Sequence, residues 1–162
     1  MDKPKHVEIE RKYLVCNDTY RQMAVSSVRI VQGYISRDPE RTVRVRIKGD
    51  KGFLTIKGRP NGKGWSRYEF EKEIDVNDAR ELMALCQGSL IDKVRYFIPY
   101  GNVVVEVDEF SGDNSGLVMA EIELTSENQT FEVPDFIGQE VTQDIRYYNA
   151  HLIDYPYKDW KS

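Results

Sequence analysis

The sequence predicts a mainly β (α+β) fold: a closed eight-stranded antiparallel β-barrel with flanking helices and a C-terminal helix. Three observations lead there. Eight runs of strict apolar/polar alternation occur along the chain. Several of the segments between them carry Gly, Asn and Asp, which tolerate the positive φ of tight turns and so fit antiparallel pairing of neighbours. Within nearly every run the alternation also separates charged from apolar side chains, because successive residues on a strand point to opposite faces.

In chain order, the first run (6–15) sets Glu8, Glu10 and Lys12 against Val7, Ile9 and Tyr13, with Arg11 as the exception. A short helix is expected at 18–26, and the second strand at 28–36. The third run (42–48) sets Arg44, Arg46 and Lys48 against Val43, Val45 and Ile47. After the turn Gly49-Asp50-Lys51-Gly52, the fourth (52–59) opposes Thr55 and Lys57 to Leu54 and Ile56. The glycine-rich loop 58–64 is the candidate mobile segment. The fifth run (67–75) opposes Arg67, Glu69, Glu71 and Glu73 to Tyr68, Phe70 and Ile74. A helix over 77–86 follows from the apolar stripe Ala79, Leu82, Met83 and Cys86. The sixth run (91–98) has Lys93 and Arg95 against Val94, Tyr96 and Ile98. The seventh (102–110) has Glu106 and Asp108 against Val103, Val105 and Val107, and the eighth (117–125) has Glu121 and Glu123 against Ala120, Ile122 and Leu124. A last helix is expected at 144–152.

The 162 residues, 40% of them hydrophobic, suit one domain spanning 1–162. With 23 basic and 27 acidic residues the formal charge is −4, and no long single-sign run marks a nucleic-acid arm. Cys16 and Cys86 stand far apart without partners at metal-ligand spacing, so neither a disulfide framework nor a zinc cluster is indicated. No segment has the length of a membrane span, and the start Met1-Asp2-Lys3-Pro4-Lys5 lacks an apolar leader. A cytoplasmic location with no membrane or nucleic-acid partner is expected. Monomer and homodimer both stay open.

An ordinary sheet with one solvated face produces much of this alternation. Two features point elsewhere. Carboxylates stand alone on the seventh and eighth runs and bases alone on the third and sixth, whereas a solvated face intersperses signs. Pairs such as Glu121 and Glu123, or Arg44 and Arg46, also share a face about 7 Å apart, given a rise of about 3.4 Å per residue. Eight strands close into a barrel wide enough for side chains and one small ligand, and closure removes the exposed edges. Two like charges 4 Å apart cost about 4 kcal/mol at an effective dielectric of about 20, so such an interior calls for divalent cations and a polyanion. Magnesium or manganese suits the oxygen donors Glu8, Glu10, Glu121 and Glu123, with Asp108, Glu69 and Glu71 nearby. Lys12, Arg44, Arg46, Lys57, Lys93 and Arg95 suit a chain of linked phosphates. The chain has neither a Walker-type glycine loop nor a Ser/His/Asp arrangement.

Glu8-Ile9-Glu10-Arg11-Lys12 resembles the ExExK signature of the CYTH superfamily, the triphosphate tunnel metalloenzymes. The resemblance continues through Arg41-Thr42-Val43-Arg44-Val45-Arg46, Leu54-Thr55-Ile56-Lys57-Gly58, Glu69-Phe70-Glu71 and Lys93-Val94-Arg95-Tyr96. It runs on through Glu106-Val107-Asp108-Glu109-Phe110, Ala120-Glu121-Ile122-Glu123-Leu124 and Asp144-Ile145-Arg146-Tyr147-Tyr148-Asn149, covering nearly the whole chain. It implies an eight-stranded tunnel that hydrolyses inorganic triphosphate to pyrophosphate and phosphate, using two divalent ions, Mg²⁺ or Mn²⁺. Relatives that cleave nucleoside or thiamine triphosphates or cyclise ATP supply the alternatives, and a polyphosphate-binding module without turnover is a further one.

By that resemblance Glu8, Glu10, Glu121 and Glu123 hold metal, with Asp108, Glu69 and Glu71 as further candidates for metal or for orienting water. Lys12, Arg44, Arg46, Lys57, Lys93 and Arg95 bind phosphate. Arg146 is a further phosphate candidate and, with Tyr147, plugs or gates one end. Glu10, Lys93 and Asp108 are the catalytic candidates. An internal salt-bridge network is the alternative reading of Arg67, Glu69, Glu71 and Glu73. Tyr34, Trp65 and Tyr147 are candidate stacking platforms for a base or thiamine ring, and Arg11, Lys48, Arg59 and Lys72 are expected on the surface.

Overall fold

A computed structural model describes residues 6–62 and 66–160. Its strands are β1 (Val7–Val15), β2 (Ser26–Ser36), β3 (Arg41–Lys48), β4 (Lys51–Gly58), β5 (Ser66–Ile74), β6 (Gln87–Tyr100), β7 (Val103–Phe110), β8 (Val118–Glu123) and β9 (Ile137–Glu140). All eight expected strands form, within a few residues of their expected ends. The turns between β3 and β4 and between β6 and β7 put Gly49 and Gly101 at φ of 61° and 59°, the left-handed region glycine enters without penalty.

The pairing order is β5-β4-β3-β2-β6-β7-β8-β1-β9, and a further β5–β1 pairing closes the first eight strands into a barrel. Every pairing is antiparallel. β1 is the closing strand. Its Val7–Ile9 stretch pairs with β5, and Glu10 to Leu14 pairs with β8. On the edge it shares with β5, its far end, Tyr13 and Val15, pairs with β9, a ninth strand that the alternation did not reveal.

Two cores hold the barrel. The outer one gathers Ile9, Tyr13, Ile98, Val105, Val107, Ala120 and Ile122, the apolar faces of β1, β6, β7 and β8, under Tyr20 and Phe136. Tyr20 comes from α1 (Tyr20–Met23), shorter than the expected helix at 18–26. The second core sits inside one end of the barrel. There Ile91, Phe110 and Met119, with the same parity as Lys93 and Arg95, Glu106 and Asp108, and Glu121 and Glu123 on their strands, pack with Tyr34 on Val141, Tyr147, Leu152 and Ile153. The C-terminal segment thus stoppers the barrel. Where one helix over 144–152 was expected, the chain forms a 3₁₀ turn at Ile145–Tyr147 and the short α3 (Asn149–Leu152). The break follows from Tyr148, which is extended at φ −74°, ψ 133°.

α2 (Val76–Met83) is capped by the Asp75 side chain, which accepts from the Asn77 amide at 2.8 Å. It lies against β2, β3 and β4, and a Cβ on Gly52 would stand 2.7 Å from the Ala79 methyl, so the close approach requires glycine there. Beyond α2 the outer face of β4 and β5 is open, with Ile56 and Tyr68 exposed.

Candidate active site in the charged tunnel

Inside the barrel is a cavity of about 650 Å³. Register explains which side chains meet there. Across β7, β8 and β1 one inward row reads Glu106, Glu121, Lys12, and Glu123 faces Glu10 a step nearer the end. Across β5, β4, β3 and β2 the opposite wall reads Glu71, Thr55, Arg44, Tyr34, flanked by Glu69, Lys57, Thr42 on one side and Arg46, Gln32 on the other.

The acidic wall is crowded. Burial, followed by the neighbouring Glu121 carboxylate, raises Glu10 to about 8 against the pull of Lys12. Burial and Glu8 raise Glu69 to about 7. Burial also works against the charge on Glu8, but Lys57 and Arg67 outweigh it and hold Glu8 far below the usual carboxylate range. Glu121 is likewise held low by Lys12 and Arg95 despite burial. Lysines tie this wall together. Lys12 Nζ reaches Glu10 at 3.2 Å and Glu121 at 3.1 Å, and Lys57 Nζ donates to both oxygens of Glu8 at 3.0 and 2.8 Å.

The basic wall is less well matched. Arg44 Nη2 donates to Thr55 at 3.2 Å and lies 3.6 Å from Glu71, but its buried Nε has no hydrogen-bond partner. Arg46 Nε donates to Gln32 at 2.9 Å, and among the described residues no carboxylate lies within ion-pair distance of it. Burial, Arg44 and Arg95 together lower Arg46 to about 9. A buried guanidinium without a carboxylate partner is costly unless an anion pairs with it.

Glu8, Glu10, Lys12, Arg44, Arg46, Lys57, Glu69, Glu71, Arg95, Glu121 and Glu123 all line the cavity. Three expected residues do not. Lys93 is sealed at 0% exposure against Asp108, 2.7 Å from its carboxylate, and Asp108 also accepts from Arg95 Nε at 2.7 Å and Nη2 at 2.9 Å. Asp108 pairs in register with Met119, and Lys93 with Phe110, so both stand at the depth of the stopper, behind Arg95. Burial and Arg95 outweigh Asp108 and lower the Lys93 amine to about 8. Arg146 points outward, paired with Asp144 at 2.7 Å and lying over Tyr147 and Trp160 at 5.4 Å.

Arg67, Glu69 and Glu71 join the ion-pair network as well as the wall, through Arg67–Glu8 at 3.5 Å, Lys57–Glu69 at 3.7 Å and Arg44–Glu71. Of the candidate stacking platforms, Tyr34 lines the cavity but is buried, Tyr147 is packed edge-on to Trp160 in the stopper, and Trp65 lies outside the described residues. Lys48, expected on the surface, lines the cavity, as do Glu106, Arg37 and the C-terminal residues Thr142, Tyr148 and His151. Parity could have found Lys48 and Glu106. The C-terminal contribution had no periodic signal to find.

No three His, Cys, Asp or Glu side chains among the described residues stand preassembled around a single ion position. The donor chemistry nevertheless fits a hard divalent cation. All the donors are carboxylate oxygens, and burial together with neighbouring carboxylates raises Glu10 and Glu69, the kind of crowding a hard cation offsets.

A closed antiparallel barrel enclosing opposed carboxylate and guanidinium walls is the architecture of a polyanion-handling tunnel. The chain belongs to the CYTH domain family, whose profile matches residues 6–153. It is 48% identical over 155 residues to an inorganic triphosphatase of Acetivibrio thermocellus, covering 95% of this chain and 97% of that protein. It is 37% identical over 150 residues to an inorganic triphosphatase of Nitrosomonas europaea, covering 90% and 95%. The crystal structure of the inorganic triphosphatase NE1496 superposes with a TM-score of 0.63 at 33% identity, covering 90% of this chain and 93% of that one.

Proposed function

We propose that this protein hydrolyses inorganic triphosphate to pyrophosphate and phosphate inside the tunnel, with divalent magnesium or manganese held on the Glu8, Glu10, Glu121 and Glu123 side. The observation that carries this reading is an imbalance inside the barrel: Arg44 Nε has no hydrogen-bond partner and Arg46, among the described residues, has no carboxylate within ion-pair distance, while on the facing wall burial and Glu121 raise the Glu10 carboxyl. A phosphate chain would supply the missing anion, and a divalent cation held by Glu8, Glu10, Glu121 and Glu123 would offset the crowded carboxylates. The two relatives named as inorganic triphosphatases, each matched over nearly their full length, support the same choice of substrate.

Phosphoryl transfer needs positioning and neutralisation of spread negative charge more than it needs a protein nucleophile. Bound divalent ions supply the second of these and lower the pKa of an attacking water. Arg44 and Arg46 grip equatorial phosphate oxygens as forks, and Lys57 adds a point charge beside them. Arg95 is aimed by Asp108, which fixes two of its nitrogens and leaves Nη1 toward Glu106 at 3.4 Å. Asp108 therefore serves by orienting Arg95, and buried Lys93 supports Asp108 from behind. Lys12 bridges Glu10 and Glu121, and its ammonium would be available to phosphate if those carboxylates held a divalent cation instead. Phosphate release from inorganic triphosphate with and without chelator tests the proposal: metal-dependent release is expected, and silence under both conditions would overturn it.

A further inference from the structure

Taking the tunnel as a triphosphate site, we infer that Lys48 is a further substrate-binding residue, continuing the Arg44–Arg46 row to the Phe97 side of the cavity. Lys48 is two residues beyond Arg46 on β3 and shares its inward face. It lines the same cavity. Its Nζ lies 5.1 Å from the centre of the Phe97 ring, and among the described residues no carboxylate stands within ion-pair distance of it.

That sets it apart from the other cavity lysines. Lys12 and Lys57 are each tied to glutamate, and Lys93 behind the wall is tied to Asp108. Glu106 and Glu71 face the Lys48 amine at longer range, while Arg46 and Arg95 push against it from the same interior. Burial and those two arginines outweigh the carboxylates and bring the amine below the ordinary lysine value, a tension that a phosphate oxygen relieves. A ring face anchors a flexible stem without consuming the charge, so the amine swings to an incoming phosphate without first breaking an ion pair.

The test compares Lys48→Met, which keeps the stem over Phe97, with Lys48→Arg and with Arg46→Ala as the control for the tunnel itself. With manganese and inorganic triphosphate, Lys48→Met raises KM about tenfold while kcat changes far less, and Lys48→Arg stays near wild type. In chelator, the rise in Tm that inorganic triphosphate gives the wild-type protein is smaller in Lys48→Met. An unchanged KM and Tm rise in Lys48→Met, alongside a raised KM in Arg46→Ala, overturns the role of Lys48 alone. No effect in either variant removes the tunnel reading and this inference with it.

Discussion

At the scale of single residues, the site rests on charges held where water alone does not stabilise them. Glu10→Gln keeps the shape of the acidic wall but loses a ligand oxygen, and metal-dependent kcat is expected to fall by roughly a hundredfold in a phosphate-release assay. Arg46→Ala removes charge-assisted hydrogen bonds to substrate and raises KM by roughly ten- to a hundredfold. Glu10 also sets a pH dependence of stability. Its folded-state pKa is raised from 4.5 to about 8, so between those values the folded chain holds a proton that the unfolded chain has released. The stability this contributes is present below 4.5 and is lost as pH climbs toward 8. Glu69, raised to about 7, acts with the same sign, while Glu8 and Glu121, held low, contribute stability above 4.5 that is lost on acidification. Thermal melts in chelator therefore show wild type losing Tm relative to Glu10→Gln from pH 4.5 to 8; parallel profiles would refute the assignment. Parity in the sequence was enough to put Glu10 and Arg46 on the inner face; Lys48 was expected on the surface although it shares the parity of Arg44 and Arg46 and lines the cavity. Parity gave Asp108 the correct face but no depth, because depth depends on the partner strand: Asp108 meets Met119 where Glu106 meets Glu121.

At the scale of elements, β1 and the C-terminal segment do the closing. β1 is bonded to β8 along most of its length and, among the described residues, to β5 through Val7–Ile9, with β9 taking over the same edge beyond. β9 is four residues long and too short to alternate visibly, which is why the sequence did not disclose it. Only the resemblance, which set Tyr147 at one end, anticipated the stopper, since its apolar residues sit on turns and a single helical turn rather than on a long amphipathic stretch. It nonetheless fills the barrel end. Leu152, 1% exposed among Met119, Phe110 and Tyr147, is expected to cost about 3 kcal/mol on replacement by alanine, measured as a shift in the urea midpoint. A shift near zero would mean that the segment lies loosely against the barrel. Arg11, bonded to Glu140 across β1 and β9, holds the outer edge of the same closure.

At the scale of the whole molecule, a mildly acidic chain is organised so that its interior carries both signs on opposed walls. That arrangement is costly when the cavity holds water alone and favourable when cations and a polyanion fill it. The separation of the carboxylates of β7 and β8 from the bases of β3 in the sequence anticipated it in part, while β1 and β5 each bring both signs to the cavity. The direct measurement is release of phosphate, pyrophosphate and cyclic AMP from inorganic triphosphate, thiamine triphosphate and ATP, each with magnesium, manganese or chelator. The proposed function requires fast metal-dependent cleavage of inorganic triphosphate to pyrophosphate and phosphate, with the organic triphosphates far slower. Cyclic AMP from ATP, preference for an organic triphosphate, or tight binding of triphosphate without phosphate release would contradict it.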